Sequence, residues 1–357
     1  MQTAIKIDIF HELSELMRLN PENMTIEHKM ELEALFSYCR EGMENDSQKF
    51  LATLLIKALN QNFCSEAIRE NIYQKQYAVS QIELFDILID KFPYVKYSQQ
   101  MINQSIVDII AQHSEVTIVD IGVGLGTQMV NIIALSKQLP NLKKMVIVGI
   151  EPFADALSIA ERNINACRKE ISFDLDFIPV AEYVENVDFA ALGKLPGEII
   201  VNASLALHHI QTKAQRNSTI AKVREINPTA FVLIEPNVNH FEPDYFLRFK
   251  SCYHHFYSLF KVIDKLDISN EHKNGLKLFF GREIEDILGK LEADRFEKHE
   301  PAAHWIELLT DNDFKVKNEL LPAAFATAEG VEIRYHAEGF VGFTYESETA
   351  LAVIYAN

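Results

Sequence analysis

From residue 116 onward the chain alternates short apolar runs with helical segments, and that rhythm restricts its fold more than any other feature. Val116–Ile121, Met145–Ile150, Leu175–Val180, Glu198–Asn202 and Phe231–Glu235 are β-branched or apolar runs of strand length. The first two pass through polar or glycine punctuation into helical stretches that reach Leu139 and Cys167. Strands without polar alternation are buried on both faces, and intervening helices impose parallel pairing with right-handed crossovers. An α/β fold is expected. The tail adds Lys315–Leu321, Gly339–Tyr345 and Leu351–Tyr355, the last two parted by the polar ESET and so expected as an antiparallel hairpin.

Residues 1–112 read differently. Leu13, Leu16, Met17 and Leu19 form one stripe at helical spacing, and Leu51, Leu54, Leu55, Ala58 and Leu59 a second. Ile82, Leu84, Phe85, Ile87 and Leu88 form a third, ended near Pro93, while Pro21 and GMENDS at 42–47 mark breaks. The expected organisation is a helical cap or bundle over 1–95 and an α/β core over 96–357. A helical insertion, aromatic-rich, is expected at about 241–300, after the fifth strand.

Glycine is sparse, 13 in 357, yet the first strand hands over to its helix through Asp120-Ile121-Gly122-Val123-Gly124-Leu125-Gly126. A strand-to-helix turn bare of Cβ atoms lets a flat ligand lie against the backbone and points the first helical N–H groups at it. Glu151, ending the second strand, suits a ribose diol and disfavours a 2′-phosphate. The dinucleotide fingerprint is G-x-G-x-x-G/A, whereas the spacing here is G-x-G-x-G, the pattern associated with S-adenosylmethionine. The expected sheet is therefore Rossmann-like, of the class I methyltransferase type, with S-adenosylmethionine as cofactor. A nicotinamide is the next-best ligand, no P-loop lysine supports ATP, and a turn needed only for packing is the plain alternative. By topology, Ala181 and Glu182 fall beside the adenine and Asn202 beside the methionine part.

Lys and Arg number 34 against 51 Asp and Glu, a net charge of −17, which repels phosphates and anionic headgroups. Neither nucleic acid nor membrane is expected as a partner. Cys39, Cys64, Cys167 and Cys252 form no C-x-x-C pair, which argues against disulfides and a thiolate zinc site. The amphipathic N-terminus lacks signal-peptide layout and no apolar run spans a bilayer, so a cytoplasmic protein is expected.

Several ordered motifs resemble the GRAS domain family, plant transcriptional regulators with bacterial members. FPYVKYSQQMINQ (92–104) looks like its P-Y-x-K-F…A-N-Q segment, and Val116–Gln128 like its first-strand signature with the glycines kept. VNASLALHHI (201–210) resembles V-N-x-x-L-x-L-H-x-L, and EPNVNHFEPDYFLRF (235–249) resembles E-x-x-x-x-H-N…F-x-x-R-F. Phe279–Glu300, reaching RFEKHE, is similar to F-G-x-E-I-x-N-I…E-R-x-E-R-H-E. The resemblance implies a Rossmann methyltransferase fold with a helical cap and a cleft between them. Many plant members have lost the glycine loop and act through protein contacts; this chain keeps it, and a bacterial-type member that retains catalysis is expected.

Methyl transfer from a sulfonium needs positioning and removal of the acceptor's proton. Candidates sit at the C-terminal strand ends. His209 or His240 is the preferred base, with Glu235 to orient it; only one of His208 and His209 can face the cleft. His208, Asn237, Arg248, Tyr245, Tyr97, Asn103 and Gln104 are assigned to a small-molecule substrate with an oxygen or small amine nucleophile. Helix capping and loop pinning are the alternative for each. Tyr245, Phe246, Phe249, Tyr253, Phe256, Tyr257 and Phe260 share helical spacing and read as core before binding wall. Trp305 reads as helix-to-sheet packing. His254, His255, His272, His299 and His304 show no metal-ligand spacing, so no metal is expected. Oligomeric state is left open, a homodimer included. The competing function is a non-catalytic GRAS-type module that senses a small molecule or grips a protein.

Overall fold

The structure is a computed structural model that describes residues 8–19, 24–60, 79, 81–322 and 326–357. Cys64 and Pro21 lie outside the described residues. Chain order is α1 (Ile9–Arg18), α2 (Ile26–Arg40), α3 (Ser47–Asn60), α4 (Gln81–Asp90), α5 (Pro93–Ile110), β1 (Glu115–Ile121) and α6 (Thr127–Ser136). There follow β2 (Lys144–Ile150), α7 (Ala154–Ala166), β3 (Asp174–Val180), β4 (Glu198–Ser204), α8 (Lys213–Glu225) and β5 (Ala230–Pro236). The insertion supplies α9 (Tyr245–Lys265) and α10 (Asn270–Gly289). The chain ends with α11 (Ala302–Asp311), β6 (Val331–His336), β7 (Phe340–Tyr345) and β8 (Glu348–Ala356).

Local chemistry sets the helix starts. Asp8, Thr25, Thr212, Asp244 and Ser269 each accept an N-terminal amide as N-cap, and Pro93 opens α5, where its missing N–H costs nothing.

The eight strands form one sheet in the order β3-β2-β1-β4-β5-β8-β7-β6. The first five pair in parallel, β8 runs antiparallel to β5, and β7 antiparallel to β8. That is the Rossmann-like class I methyltransferase sheet expected from the strand rhythm together with the glycine loop, carrying β6 as an extra antiparallel edge. Alternate residues of one strand enter opposite cores. Met145 and Ile147 of β2 join the layer of α5, α6, α9 and α10, whereas Val146, Val148 and Ile150 join the layer that holds Ile220 of α8 and Trp305 of α11. Both faces are covered, which is why these strands carry no polar alternation.

The cap is built on the insertion: α3 packs against α2, α9 and α10, and α1 against α9. Phe249, Tyr253, Phe256 and Phe260 of the aromatic band are buried, so the band is core. Trp305 is buried on the opposite face of the sheet, as its sequence context suggested.

One expected strand is displaced. Lys315 and Lys317 pair with the end of β8 through a single bridge, Val316↔Ala356, and the chain then turns through Asn318–Leu320. The strand is instead β6, whose sequence VEIRYH alternates strictly, as an edge strand with one solvated face should.

Candidate functional site

Gly122, Gly124 and Gly126 all have positive φ, at 76°, 53° and 78°. The N–H groups of Gly122 and Val123 donate to the Ile150 carbonyl at 2.9 and 3.1 Å, which seats the loop on the end of β2. The three glycines do different work. A Cβ at 122 would stand 2.7 Å from the Ala206 Cβ, and one at 126 would stand 3.1 Å from the Ala160 Cα, so both serve close packing. A Cβ at 124 would meet nothing nearer than the Gly122 oxygen at 4.0 Å. Gly124 therefore faces open space, and its positive φ is the reason for glycine there. Gly122→Ala is expected to cost about 2–4 kcal/mol in urea unfolding, from left-handed strain plus overpacking. Gly124→Ala, with strain but no clash, is expected to cost about 1–2 kcal/mol.

Glu151 stands where the sequence placed it, buried at the lip of this loop. Its Oε2 accepts from the Gly124 amide and its Oε1 from the Phe153 amide, each at 3.2 Å. The carboxylate thus braces the loop's own backbone, and each oxygen keeps a second lone pair for a sugar hydroxyl. Ala181 and Glu182 are exposed beyond β3, where Glu182 accepts from the Tyr183 amide and the Asn186 side chain.

Asp120 and Asn202 lie opposite each other in the β1–β4 register, and Asn202 Nδ2 donates to Asp120 Oδ1 at 2.7 Å. Gln128 approaches Asn202 at 3.3 and 3.5 Å and donates to Asn103 Oδ1 at 3.0 Å. Asn103, Gln128, Asn202 and Asp120 are all buried, so this polar chain pins α5 and α6 to the strand ends. Burial, with Glu151 nearby, pushes the Asp120 carboxyl up to about 7 despite the Asn202 donor.

The substrate assignments fare less well. Gln104 is exposed and pairs with Asp108 one turn along α5, so it faces away from the site. Asn237 donates to the Thr349 carbonyl and accepts from the Ala302 amide, which ties β8 to the start of α11. Arg248 Nη1 donates to the Glu242 carbonyl at 2.6 Å with its guanidinium over the Tyr245 ring, and the Tyr245 hydroxyl donates to the Leu288 carbonyl. Both belong to the cap's internal bonding. Tyr97 is partly buried on α5 under the Lys96 ammonium.

The proposed bases are also corrected. Glu235 accepts from the Ala206 and Leu207 amides at 3.2 and 2.8 Å and pairs with His208 Nδ1 at 2.6 Å, so it orients neither His209 nor His240. His240 is wholly buried, with its Nδ1 2.7 Å from His299 Nδ1. Burial holds His240 well below the usual imidazole value and, with His299 beside it, takes His208 down to about 3. Burial raises Glu235 to about 7. His209 alone is exposed, its ring centroid 4.1 Å from that of His208.

Sequence reasoning missed the strap over 295–300, which crosses these strand ends with Arg295, Lys298, His299 and Glu300 all buried. Arg216 holds it: Nη1 donates to Glu300 at 2.6 Å and Nη2 to the His208 and Lys298 carbonyls at 2.7 Å. Asp286 accepts the Phe296 and Glu297 amides, each at 2.7 Å. Burial pushes Glu297 up, but the His299 and His208 imidazoles outweigh it and hold the carboxyl at about 2. The one sequence signal for the strap was the family motif ending in RFEKHE.

With this geometry in place, the GRAS domain family model matches residues 30–353. The chain belongs to the GRAS domain family. Its relatives include Scarecrow-like transcription factor PAT1 of Arabidopsis thaliana, 26% identical over 61% of this chain and 48% of the relative. DELLA protein GAI of Gossypium hirsutum is 24% identical over 68% of this chain and 49% of the relative. This GRAS chain spans about half the length of the curated relatives it matches. The crystal structure of SCL7 from Oryza sativa superposes with a TM-score of 0.80 at 18% identity, covering 99% of this chain and 100% of that one. The likeness establishes the shared fold.

These relatives overturn several expectations. They are named as a transcription factor and DELLA proteins rather than enzymes, so the assignment of a methyltransferase is withdrawn. They come from plants, which leaves the bacterial-type assignment without support. A relative named as a transcription factor also removes the basis for a small-molecule substrate with nucleic acid excluded. Among the described residues, no helix is long and apolar enough to cross a membrane.

Proposed function

We propose that this GRAS chain is a regulatory module of transcription that acts through macromolecular partners and holds an adenosyl ligand, S-adenosylmethionine or its demethylated product, on the loop 122–126 without turning it over. The observation that carries this reading is the condition of two of the three candidate bases, Glu235 and His240; the third, His209, stands at the surface. Glu235 is committed to two amides and His208, and His240 has no exposed surface. General base catalysis needs a group within hydrogen-bond reach of the acceptor's proton. The binding half of the reading rests on Gly124, whose missing Cβ leaves open space, and on the fixed Glu151 carboxylate beside it.

Calorimetric titration tests it. Both S-adenosylmethionine and S-adenosylhomocysteine are expected to bind, because they share the adenosine half that the loop and Glu151 would hold. At ligand about 100 times Kd the folded state should gain about 2.7 kcal/mol, a thermal shift of several degrees. Gly124→Ala, still folded, should lose the heat. An absence of heat and of thermal shift with both ligands sinks the adenosyl reading, and transfer of the methyl to any acceptor sinks the non-catalytic one.

A further inference from the structure

The histidines lack metal-ligand spacing along the chain, so no metal is expected from sequence alone. Folding brings three groups together from distant positions. We propose that Glu283 of α10 and Glu297 and His299 of the strap hold a divalent transition-metal ion of the zinc or manganese class. The inference is independent of the adenosyl reading.

Three observations carry it. First, one ligand atom from each of Glu283, Glu297 and His299 lies within 4.8 Å of the others, and His299 Nε2 stands 3.2 Å from Glu297 Oε2. A four-coordinate ion with bonds of about 2.1 Å separates its ligand atoms by about 3.4 Å. Imidazole with carboxylates is a donor set for this class of ion.

Second, Glu283 makes no ion pair or hydrogen bond among the described residues, and its charged neighbours are the carboxylates of Glu297 and Asp286. A lone imidazole–carboxylate contact is satisfied as a hydrogen bond. A second carboxylate facing it is not, and a cation resolves the conflict.

Third, the imidazole is backed as a metal-bound one should be. His299 is buried, and its Nδ1 is 2.7 Å from His240 Nδ1, which leaves Nε2 toward the carboxylates. A ligating histidine commonly has its other nitrogen fixed by a neighbour in this way. His240 is itself fully buried and its Nε2 has no partner, so this corner of the core holds unspent polar capacity. The same Glu297 Oε2 lies 3.5 Å from His208 Nε2, and its Oε1 lies 3.9 Å from His209 Nδ1. The Glu297 side chain is 17% exposed, which gives the ion a way in.

Such an ion would tie α10 to the strap. It would act as a clip between the insertion and the core. The role is structural and needs no reaction.

The full chain, stripped with a chelator, is titrated with Mn2+ read by electron paramagnetic resonance and with Zn2+ read by calorimetry. One equivalent of at least one ion is expected to bind, with a rise in the urea midpoint. Glu283→Gln should weaken that binding at least tenfold. In the stripped state the same variant should unfold at the same urea concentration as the parent or a higher one, because the carboxylate conflict is gone. His304→Gln, whose imidazole pairs with Glu300 outside the cluster, should bind with parental affinity. Failure of both ions to bind stoichiometrically overturns the proposal. So does unchanged affinity in Glu283→Gln, or an equal loss in His304→Gln.

Discussion

Arg216→Met is expected to destabilise the protein by about 3–5 kcal/mol, the range for removing one partner of a buried ion pair. The guanidinium is 1% exposed and spends its donors on Glu300 and on the carbonyls of Ile210, His208 and Lys298. It also lies 4.7 Å over the Phe241 ring and 5.0 Å over Trp305. Methionine fills much of the volume but donates nothing. Three buried carbonyls then lose their partner, at about 1–3 kcal/mol for a group left unsatisfied. Glu300 keeps Lys213 at 3.1 Å, but that ammonium is 64% exposed and a weak substitute. Urea unfolding monitored by Trp305 fluorescence measures the loss. Adding Glu300→Gln to Arg216→Met should recover part of it, because the stranded charge disappears while the carbonyls stay unpaired. A single-variant loss below about 1 kcal/mol would show that the strap is held by its other contacts.

The same residues show what the sequence could reveal and what it could not. The central strands were legible because each is buried on both faces, so Val116–Ile121 and Met145–Ile150 are mostly apolar and show no polar alternation. β6 escaped because an edge strand is half solvated, so VEIRYH lacks the continuous apolar run that marked the central strands. Lys315–Leu321 drew attention through composition, yet only one bridge forms before the turn. The glycine loop was legible for a steric reason, since positive φ leaves few residue types. Its use was not legible. Two of the glycines serve contacts with Ala206 and Ala160, which no local pattern encodes.

Side-chain roles were least readable where the partner is far along the chain. Asn237 is bonded to Thr349, and Arg216 to Glu300; neither pairing leaves a trace in spacing. His208 and His209 differ by one position, yet one pairs with Glu235 in the core and the other faces solvent. Family membership was legible because several motifs recur in order. Catalysis does not follow from it, because a retained loop records a shape that binding alone also needs.

The last large effect is a pH dependence, and Asp120→Asn isolates it. The Asp120 carboxyl is buried beside Glu151, which carries its folded value from 3.8 to about 7 against the pull of the Asn202 amide. A folded value above the unfolded one means the native state binds the proton more tightly. The stabilisation is therefore complete below about pH 4 and is lost as pH rises through about 7. About three units between the two values set an upper bound of about 4 kcal/mol. Asparagine keeps an oxygen for Asn202 and never ionises. Parent and variant should then be close in stability at pH 4.5, with the variant ahead by about 2–4 kcal/mol at pH 8. The buried histidines at 208, 240 and 255 have lowered values and so titrate with the opposite sign, losing stability as pH falls below about 6.5. They are common to both proteins and cancel in the difference, which urea midpoints at several pH values supply. A difference that stays flat from pH 4.5 to 8 would mean that the β1–β4 register presents Asp120 to solvent or a cation, and that the polar chain through Asn202, Gln128 and Asn103 is not sealed.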